Sequence, residues 1–212
     1  MTYTPSYKYI PPLEFHALTF IYDTACAVFG LGRGFQKNIL GLIKIHPEDV
    51  VLDVGCGTAM FLKVMGRNVK FKHAYGVDPD PGALTIAQRR LTPFKNISLI
   101  RAFAEEIPLE EASVDLCFST FAFHHFPTPI KLKAIQEIHR VLKPDGKVII
   151  TDFGRPASPL LKVVLKIGGK LEYMDGNLEG VIPQFLAMSG FHGIEVKYRQ
   201  FPAIQSVVAV KI

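Results

Sequence analysis

The residues best suited to chemistry are few. Asp53, Gly55 and Gly57 lie in VLDVGCGTAM, Asp78 lies in YGVDPD, and the pair His124-His125 lies in STFAFHHF. Glycines where an apolar run gives way to a helical pattern let a ligand touch bare backbone, and the free N–H groups of the next helix point at the same place. A dinucleotide loop would carry a third glycine, but position 60 is Met60, whose side chain obstructs that close helix approach. Asp78 follows Gly57 by 21 positions, the place from which an acid accepts both hydroxyls of a ribose; it would also serve as the N-cap of a helix over Pro79–Leu91. Asp53 either anchors the loop through backbone N–H groups or holds an ammonium group. Either histidine would deprotonate a phenol, a thiol or an activated carbon acid, with His124 the preferred catalytic candidate; the alternative is that the pair only orients its loop. Adjacent histidines do not converge on one ion and no third ligand has useful spacing, so no metal site is expected.

Those residues need a scaffold that gathers strand ends. From Val50 onward strand and helix signals alternate: strands over Val50–Val54, Ala74–Val77, Ile97–Ile100, Val114–Ser119 and Lys147–Thr151, helices over Ala59–Met65, Pro81–Leu91 and Thr128–Leu142, the last stopped by Lys143-Pro144-Asp145-Gly146. Helical patterns also run over 13–29, 35–45, Leu160–Ile167 and Leu178–Met188, behind a proline- and tyrosine-rich arm at 1–12. Continuous apolar strands in repeated βα units make a parallel sheet covered on both faces. The final strands, Gly193–Phe201 and Ser206–Val210, have only Pro202 to Gln205 between them, too little for a parallel crossover, so they pair antiparallel. The expectation is a Rossmann-like, doubly wound α/β fold of seven strands, mostly parallel, with an antiparallel C-terminal hairpin and an N-terminal helical lid. One domain would fill 1–212: arm and lid to 45, a ligand-binding core over 46–152, covering helices over 153–192 and the strand pair over 193–212.

Composition narrows the partners. A chain of 212 residues suits one well-buried core. The net charge of +5 is scattered, with no denser basic cluster than Gln88-Arg89-Arg90, which disfavours a nucleic-acid surface. Three cysteines without paired spacing fit a reducing compartment better than a disulfide framework. The first residues, MTYTPSYKYIPP, lack the apolar stretch of a secretory signal, so a cytoplasmic protein is expected.

Taken together and in order, VLDVGCGTAMFL, YGVDPD, AEEIPLEEASVDLCFSTFAFHHF and EIHRVLKPDGKVIITDF resemble the class I S-adenosylmethionine-dependent methyltransferases, most closely the small-molecule branch that includes the ubiquinone/menaquinone C-methyltransferases. The resemblance covers about residues 46–152. It implies S-adenosyl-L-methionine as cofactor, S-adenosyl-L-homocysteine as product and a small-molecule methyl acceptor. Carried over by position, Asp53, Gly55, Gly57 and Thr58 border the methionine part of the cofactor. Asp78 holds the ribose, Pro79 or Asp80 flanks the adenine, and Ala104 and Glu105 lie at its edge. Ser119 ends the fourth strand beside the cofactor, and Tyr22, in a Tyr-Asp pair like that of the quinone-methylating relatives, closes over its methionine end. One departure stands out: where the family has Gly-Asp-Ala-Glu after the third strand, this chain has Ala102-Phe103-Ala104-Glu105, and Phe103 cannot accept a hydrogen bond from the adenine amino group.

The acceptor is read less directly. Ser158 to Lys170 places Lys162 and Lys166 on one helical face and Leu161, Val164, Leu165 and Ile167 on another. This is a lid helix packed on its own domain or a peripheral membrane contact. An apolar lid suggests an apolar or aromatic acceptor. The competing readings are a thiol or metalloid S-methyltransferase using Cys56 and Cys117, and a non-catalytic cofactor-binding regulator. Cys56 itself is expected to fill a gap in the loop and not to act as a nucleophile.

Overall fold

The computed structural model describes residues 32–156, 158, 174–200 and 203–212. The arm, the first helical pattern with Tyr22, and Leu160–Ile167 with Lys162 and Lys166 lie outside the described residues.

Helix α1 (Arg33–Leu40) comes first. It ends earlier than the pattern over 35–45 suggests, because Gly41 closes it, its N–H donating to Lys37 O at 3.0 Å. The alternating core follows: β1 (Val50–Val54), α2 (Met60–Asn68), β2 (His73–Val77), α3 (Pro81–Leu91), β3 (Ile97–Ile100), β4 (Val114–Thr120), a 3₁₀ turn (Phe123–His125), α4 (Thr128–Val141) and β5 (Leu142–Phe153). The closing elements are α5 (Met174–Glu179), α6 (Val181–Met188), β6 (Phe191–Gln200) and β7 (Ile204–Lys211). The single helix expected over Leu178–Met188 is instead two short helices broken at Gly180. The turn expected over Lys143–Gly146 does not separate helix from strand. Val114 pairs with Leu142 and Leu116 with Lys147, so the four residues bulge out of the ladder within β5.

The seven strands lie in the order β3-β2-β1-β4-β5-β7-β6. Pairs from β3 to β5 are parallel and the β5–β7 and β6–β7 pairs antiparallel, as the short last connection requires. Strict alternation splits the core between the two faces. Leu52, Val54, Cys117, Val148 and Ile150 pack on one side with Ile135 and Ile138 of α4 and Leu186 of α6. Val51, Leu116, Phe118 and Ile149 pack on the other with Phe35 and Ile39 of α1 and Leu62 and Met65 of α2. Strand order reverses between β1 and β4, so the carboxyl ends of those two strands open a crevice. The glycine loop leaves β1 there, and Ser119-Thr120 ends β4 beside it.

Candidate active site

The loop from Gly55 to Ala59 is built on unusual backbone. Gly55 (φ 71), Gly57 (φ 50) and Ala59 (φ 59) are all left-handed. The two glycines are required for different reasons. A Cβ on Gly55 would stand 2.3 Å from the Ala122 Cβ, so this glycine lets the β1 loop pack against the segment after β4. A Cβ on Gly57 would meet nothing within 4 Å: its face is open, as a surface for a ligand needs to be. The N–H groups of Gly55 and Cys56 both donate to Val77 O, at 2.8 and 3.0 Å, which fastens the loop to the end of β2. Thr58 is held from the other side, its carbonyl and hydroxyl accepting from Arg90 Nη1 at 3.0 and 2.6 Å.

Asp78 closes this arrangement. One carboxylate oxygen accepts from Gly57 N and the other from Asp80 N, each at 2.9 Å. Asp78 is not the cap of α3: Asp80 takes that role, accepting from Gly82 N at 2.7 Å and Ala83 N at 3.3 Å, with Pro81 in the first turn. Burial pushes the Asp78 carboxyl up to about 6, with a further push from Asp80, against the two backbone N–H groups that pull it down. Asp53 is more extreme. It is 1% exposed, and its Oδ2 has no hydrogen-bond partner. Burial first and the Asp78 charge second push its carboxyl up to about 8. A buried carboxylate oxygen without a partner, next to an open glycine, suits a cationic ligand group. The exit of β3 reaches the same edge, where Arg101 Nε donates to Pro79 O at 3.3 Å. Beyond it lie half-buried Phe103 and Glu105 and buried Ala104.

At the end of β4 the geometry changes. Ser119 Oγ donates to Val54 O at 2.8 Å, so this hydroxyl ties β4 to β1. His124 is buried in the 3₁₀ turn, its Nδ1 2.8 Å from Asp152 Oδ1. An ionised carboxylate only accepts, so Nδ1 carries the proton and Nε2 is left with a lone pair. Asp152 Oδ2 accepts from His124 N at 3.2 Å, and Oδ1 accepts from Phe153 N at 2.7 Å. Burial raises the Asp152 carboxyl, but His124 beside it and these hydrogen bonds outweigh burial and hold it below its ordinary value. His125, its ring centroid 4.0 Å from that of His124, is pushed down to about 3 by burial and then by His124. The walls are aromatic: Phe153 meets the His124 ring edge-on at 5.2 Å, and Phe121 lies 5.9 Å from Phe153.

The structure thus gathers Asp53, Gly55, Gly57, Thr58 and Asp78 into one loop-and-edge unit and puts Pro79, Ala104 and Glu105 on its β3 side. Ser119 and His124 lie across the crevice from it. Tyr22 lies outside the described residues. Sequence reasoning did not single out Asp152, although an acid at the end of the apolar run VIITDF has the same strand-end position as Asp78. It also missed Asn177 in α5, which is buried with neither side-chain heteroatom partnered; an Asn in a short helix carries no signal of that. Cys56 and Cys117 are buried among apolar residues on opposite faces of the sheet. Burial first, then the nearby Asp53 charge, pushes both thiols well above the ordinary range, which deprives a thiol-based metalloid reading of these two groups.

Comparison with known proteins agrees with this geometry. The methyltransferase domain family matches residues 52–150. The chain is 30% identical over 142 residues to a malonyl-[acyl-carrier protein] O-methyltransferase of Marinomonas sp., an alignment covering 65% of this chain and 52% of the relative. It is 28% identical over 134 residues to a demethylmenaquinone methyltransferase of Staphylococcus epidermidis, covering 63% and 55%. The chain therefore spans about half the length of these curated relatives. Among solved structures it is similar to an S-adenosylmethionine-dependent methyltransferase of Thermotoga maritima described as a possible histamine N-methyltransferase, with a TM-score of 0.70 and 20% identity over 93% of this chain and 98% of that one. The glycine loop, the acid at the end of β2 and the strand order with its antiparallel last pair are the framework those comparisons share, and residues 52–150 of this chain are a methyltransferase domain of the class I, S-adenosylmethionine-dependent kind.

Proposed function

We propose that the chain binds S-adenosyl-L-methionine across the β1–β4 crevice and transfers its methyl group to a small, apolar or aromatic acceptor. The observation that carries the reading is the Asp53–Gly57–Asp78 unit, which joins a buried carboxylate with an unpartnered oxygen, an open backbone face and a second carboxylate at the end of β2. When bound, the cofactor supplies a methyl group already activated by its sulfonium. Asp78 would accept the ribose hydroxyls, exchanging its bond to Gly57 N or sharing it. Asp53 would face the ammonium group, and Gly57 would clear the path along the backbone. Pro79, with Ala104 and Glu105 opposite, would border the adenine. Thr58 and Ser119 act through the scaffold, one fixed by Arg90 and the other fixing β4 to β1.

On the acceptor side Phe121 and Phe153 would exclude water and present apolar surface. His124 would take the acceptor's proton at Nε2, while Asp152 holds the ring by Nδ1 and compensates the charge that forms. His125, kept neutral by burial, suits a wall better than a base. An acidic acceptor oxygen such as a phenol matches this arrangement, and a quinol-like or other aromatic metabolite fits the walls. We place the protein's work in the cytoplasm. A peripheral membrane contact through 158–170 is a separate proposal, and among the described residues no helix is long and apolar enough to cross a membrane.

Calorimetric titration with S-adenosylmethionine and S-adenosylhomocysteine tests the reading, with Asp78→Ala as control. Binding by the wild type at micromolar concentrations and its loss in the variant are expected; no binding by the wild type overturns the proposal. A methyl-release screen over phenols, quinols, thiols and phospholipids then separates the acceptors. Turnover only with thiols would shift the assignment to the S-methyltransferase alternative.

A further inference from the structure

Buried side-chain oxygens without a hydrogen-bond partner are costly, and among the described residues three of them gather at one place. They are Asp53 Oδ2, Thr120 Oγ1 and Gln36 Oε1. Asp53 alternates with Val51, and Thr120 with Phe118, so both side chains leave the sheet on the face that carries the Val51–Phe118 cluster. They stand on neighbouring strands, since Asp53 pairs with Phe118 two residues before Thr120. Gln36 belongs to α1, which packs on that same face through Phe35, Ile39 and Leu40. The helix is pinned at the right height: the Phe35 ring stacks on Phe121, the residue after Thr120, with centroids 5.6 Å apart, and Asn38 Nδ2 donates to Tyr198 OH at 3.2 Å. Tyr198 lies in the same row of the sheet as Thr120, through Ser206 and Thr151. A polar Gln36 on the buried stripe of an otherwise apolar helix face has no role in packing α1.

We propose that Gln36 and Thr120 complete, with Asp53, a three-oxygen socket for the ammonium group at the amino-acid end of the cofactor. This rests on the cofactor reading above. An alkylammonium offers three N–H donors and no acceptor, which matches three acceptor oxygens one of which is anionic. The cofactor's carboxylate would be repelled by Asp53, its sulfonium has no N–H to donate, and its ribose belongs to Asp78 on the neighbouring strand. The socket also explains why α1, a helix outside the matched residues 52–150, is closed down on the mouth of the crevice. It brings the third oxygen, and the site is incomplete without it.

The test compares wild type with Gln36→Leu and Thr120→Val, near-isosteric changes that remove a buried unpaired polar atom, so the ligand-free proteins should melt at the same temperature or higher. Calorimetry is run with three probes: S-adenosylhomocysteine, decarboxylated S-adenosylmethionine, which keeps the ammonium but lacks the carboxylate, and 5′-methylthioadenosine, which lacks both. Each variant should bind the first two about tenfold more weakly and methylthioadenosine within about twofold of wild type. Gln36→Glu, which keeps an oxygen acceptor, should retain affinity for the first two. Unchanged affinities, equal losses for all three probes, or a loss for the homocysteine compound alone would each overturn the socket. If the wild type binds none of the probes, the cofactor reading falls first and the socket with it.

Discussion

Asp53 and Asp152 end neighbouring stretches of the same sheet, and both are almost wholly buried, yet they behave oppositely. Asp53 has an oxygen with no partner, and its carboxyl is pushed up to about 8. Asp152 is surrounded by His124 and two backbone N–H groups, and its carboxyl is held below the ordinary range. Burial is shared, so it does not decide the charge; the partners do. Asp152 is compensated from within the chain and can hold a histidine in one tautomer with no ligand present. Asp53 is left for something the chain does not supply. One side of the crevice is a finished internal pair and the other a half-built one.

Removing the finished pair should have the largest effect on stability. Asp152→Asn takes the charged acceptor from His124 and Phe153, and should destabilise the protein by about 3 kcal/mol at pH 7 in urea unfolding. The sign follows from the lowered carboxyl. Its contribution is present above the ordinary aspartate range and is lost as pH falls through the lowered value, so wild type and variant should converge in acid. A gap that does not narrow there would mean that Asp152 is not held as a charge. The same substitution should lower turnover by about tenfold or more while leaving cofactor affinity unchanged, provided His124 works through Nε2.

Asp78→Ala comes next. Loss of the ribose acceptor and of the Gly57 anchor together should weaken cofactor binding about 100-fold by calorimetry; a change below about threefold would place the ribose elsewhere.

Asp53→Asn probes the unfinished half, and its effect on stability has the opposite sign. A carboxyl raised to about 8 keeps its proton in the folded state where the unfolded chain has lost it, so Asp53 costs stability as pH rises from about 4 to about 8. The variant should therefore be the more stable ligand-free protein at pH 8, by about 2 kcal/mol, and the gain should vanish near pH 4. Binding an ammonium group beside Asp53 expels that proton. Wild-type affinity should thus climb with pH between about 6 and 7.5, by at most about tenfold per unit, until the ligand's own amine begins to deprotonate near 8. Calorimetry in buffers of different ionisation enthalpy reads the released proton directly. A flat profile in the wild type would show that Asp53 does not meet the cation, and the variant should be flat in any case.

The smallest effect is expected at Cys56. Its protonated thiol packs against apolar neighbours beneath the loop, so Cys56→Ala should keep turnover within about twofold at a stability cost of about 1 kcal/mol. A loss of turnover with unchanged cofactor affinity would restore the thiol as a participant.

Much of this was legible in the chain. The alternation of apolar runs and helical patterns prescribes the doubly wound sheet, and Pro202–Gln205 is too short for anything but an antiparallel last pair. Boundaries failed where a local signal competed with tertiary packing. Pro144-Asp145-Gly146 reads as a turn but is carried as a bulge because Leu142 still pairs with Val114. Asp78 and Asp80 compete for one cap, and only the fold shows that Asp80 takes it while Asp78 turns to Gly57.

By itself the sequence determined the residue types at the strand ends: the glycines, the acids, the imidazole pair and the aromatic walls. It also determined the order of strands that must bring those ends to one edge, because periodicity and connection length are local properties. Tertiary structure alone decided which of these groups find each other. That Asp152 is answered by His124 while Asp53 is not, that Gly55 is needed for Ala122 and Gly57 for open space, and that Gln36 and Thr120 share a face with Asp53 all depend on contacts between residues far apart in the chain. Charge, strain and unmet hydrogen bonds are properties of those contacts.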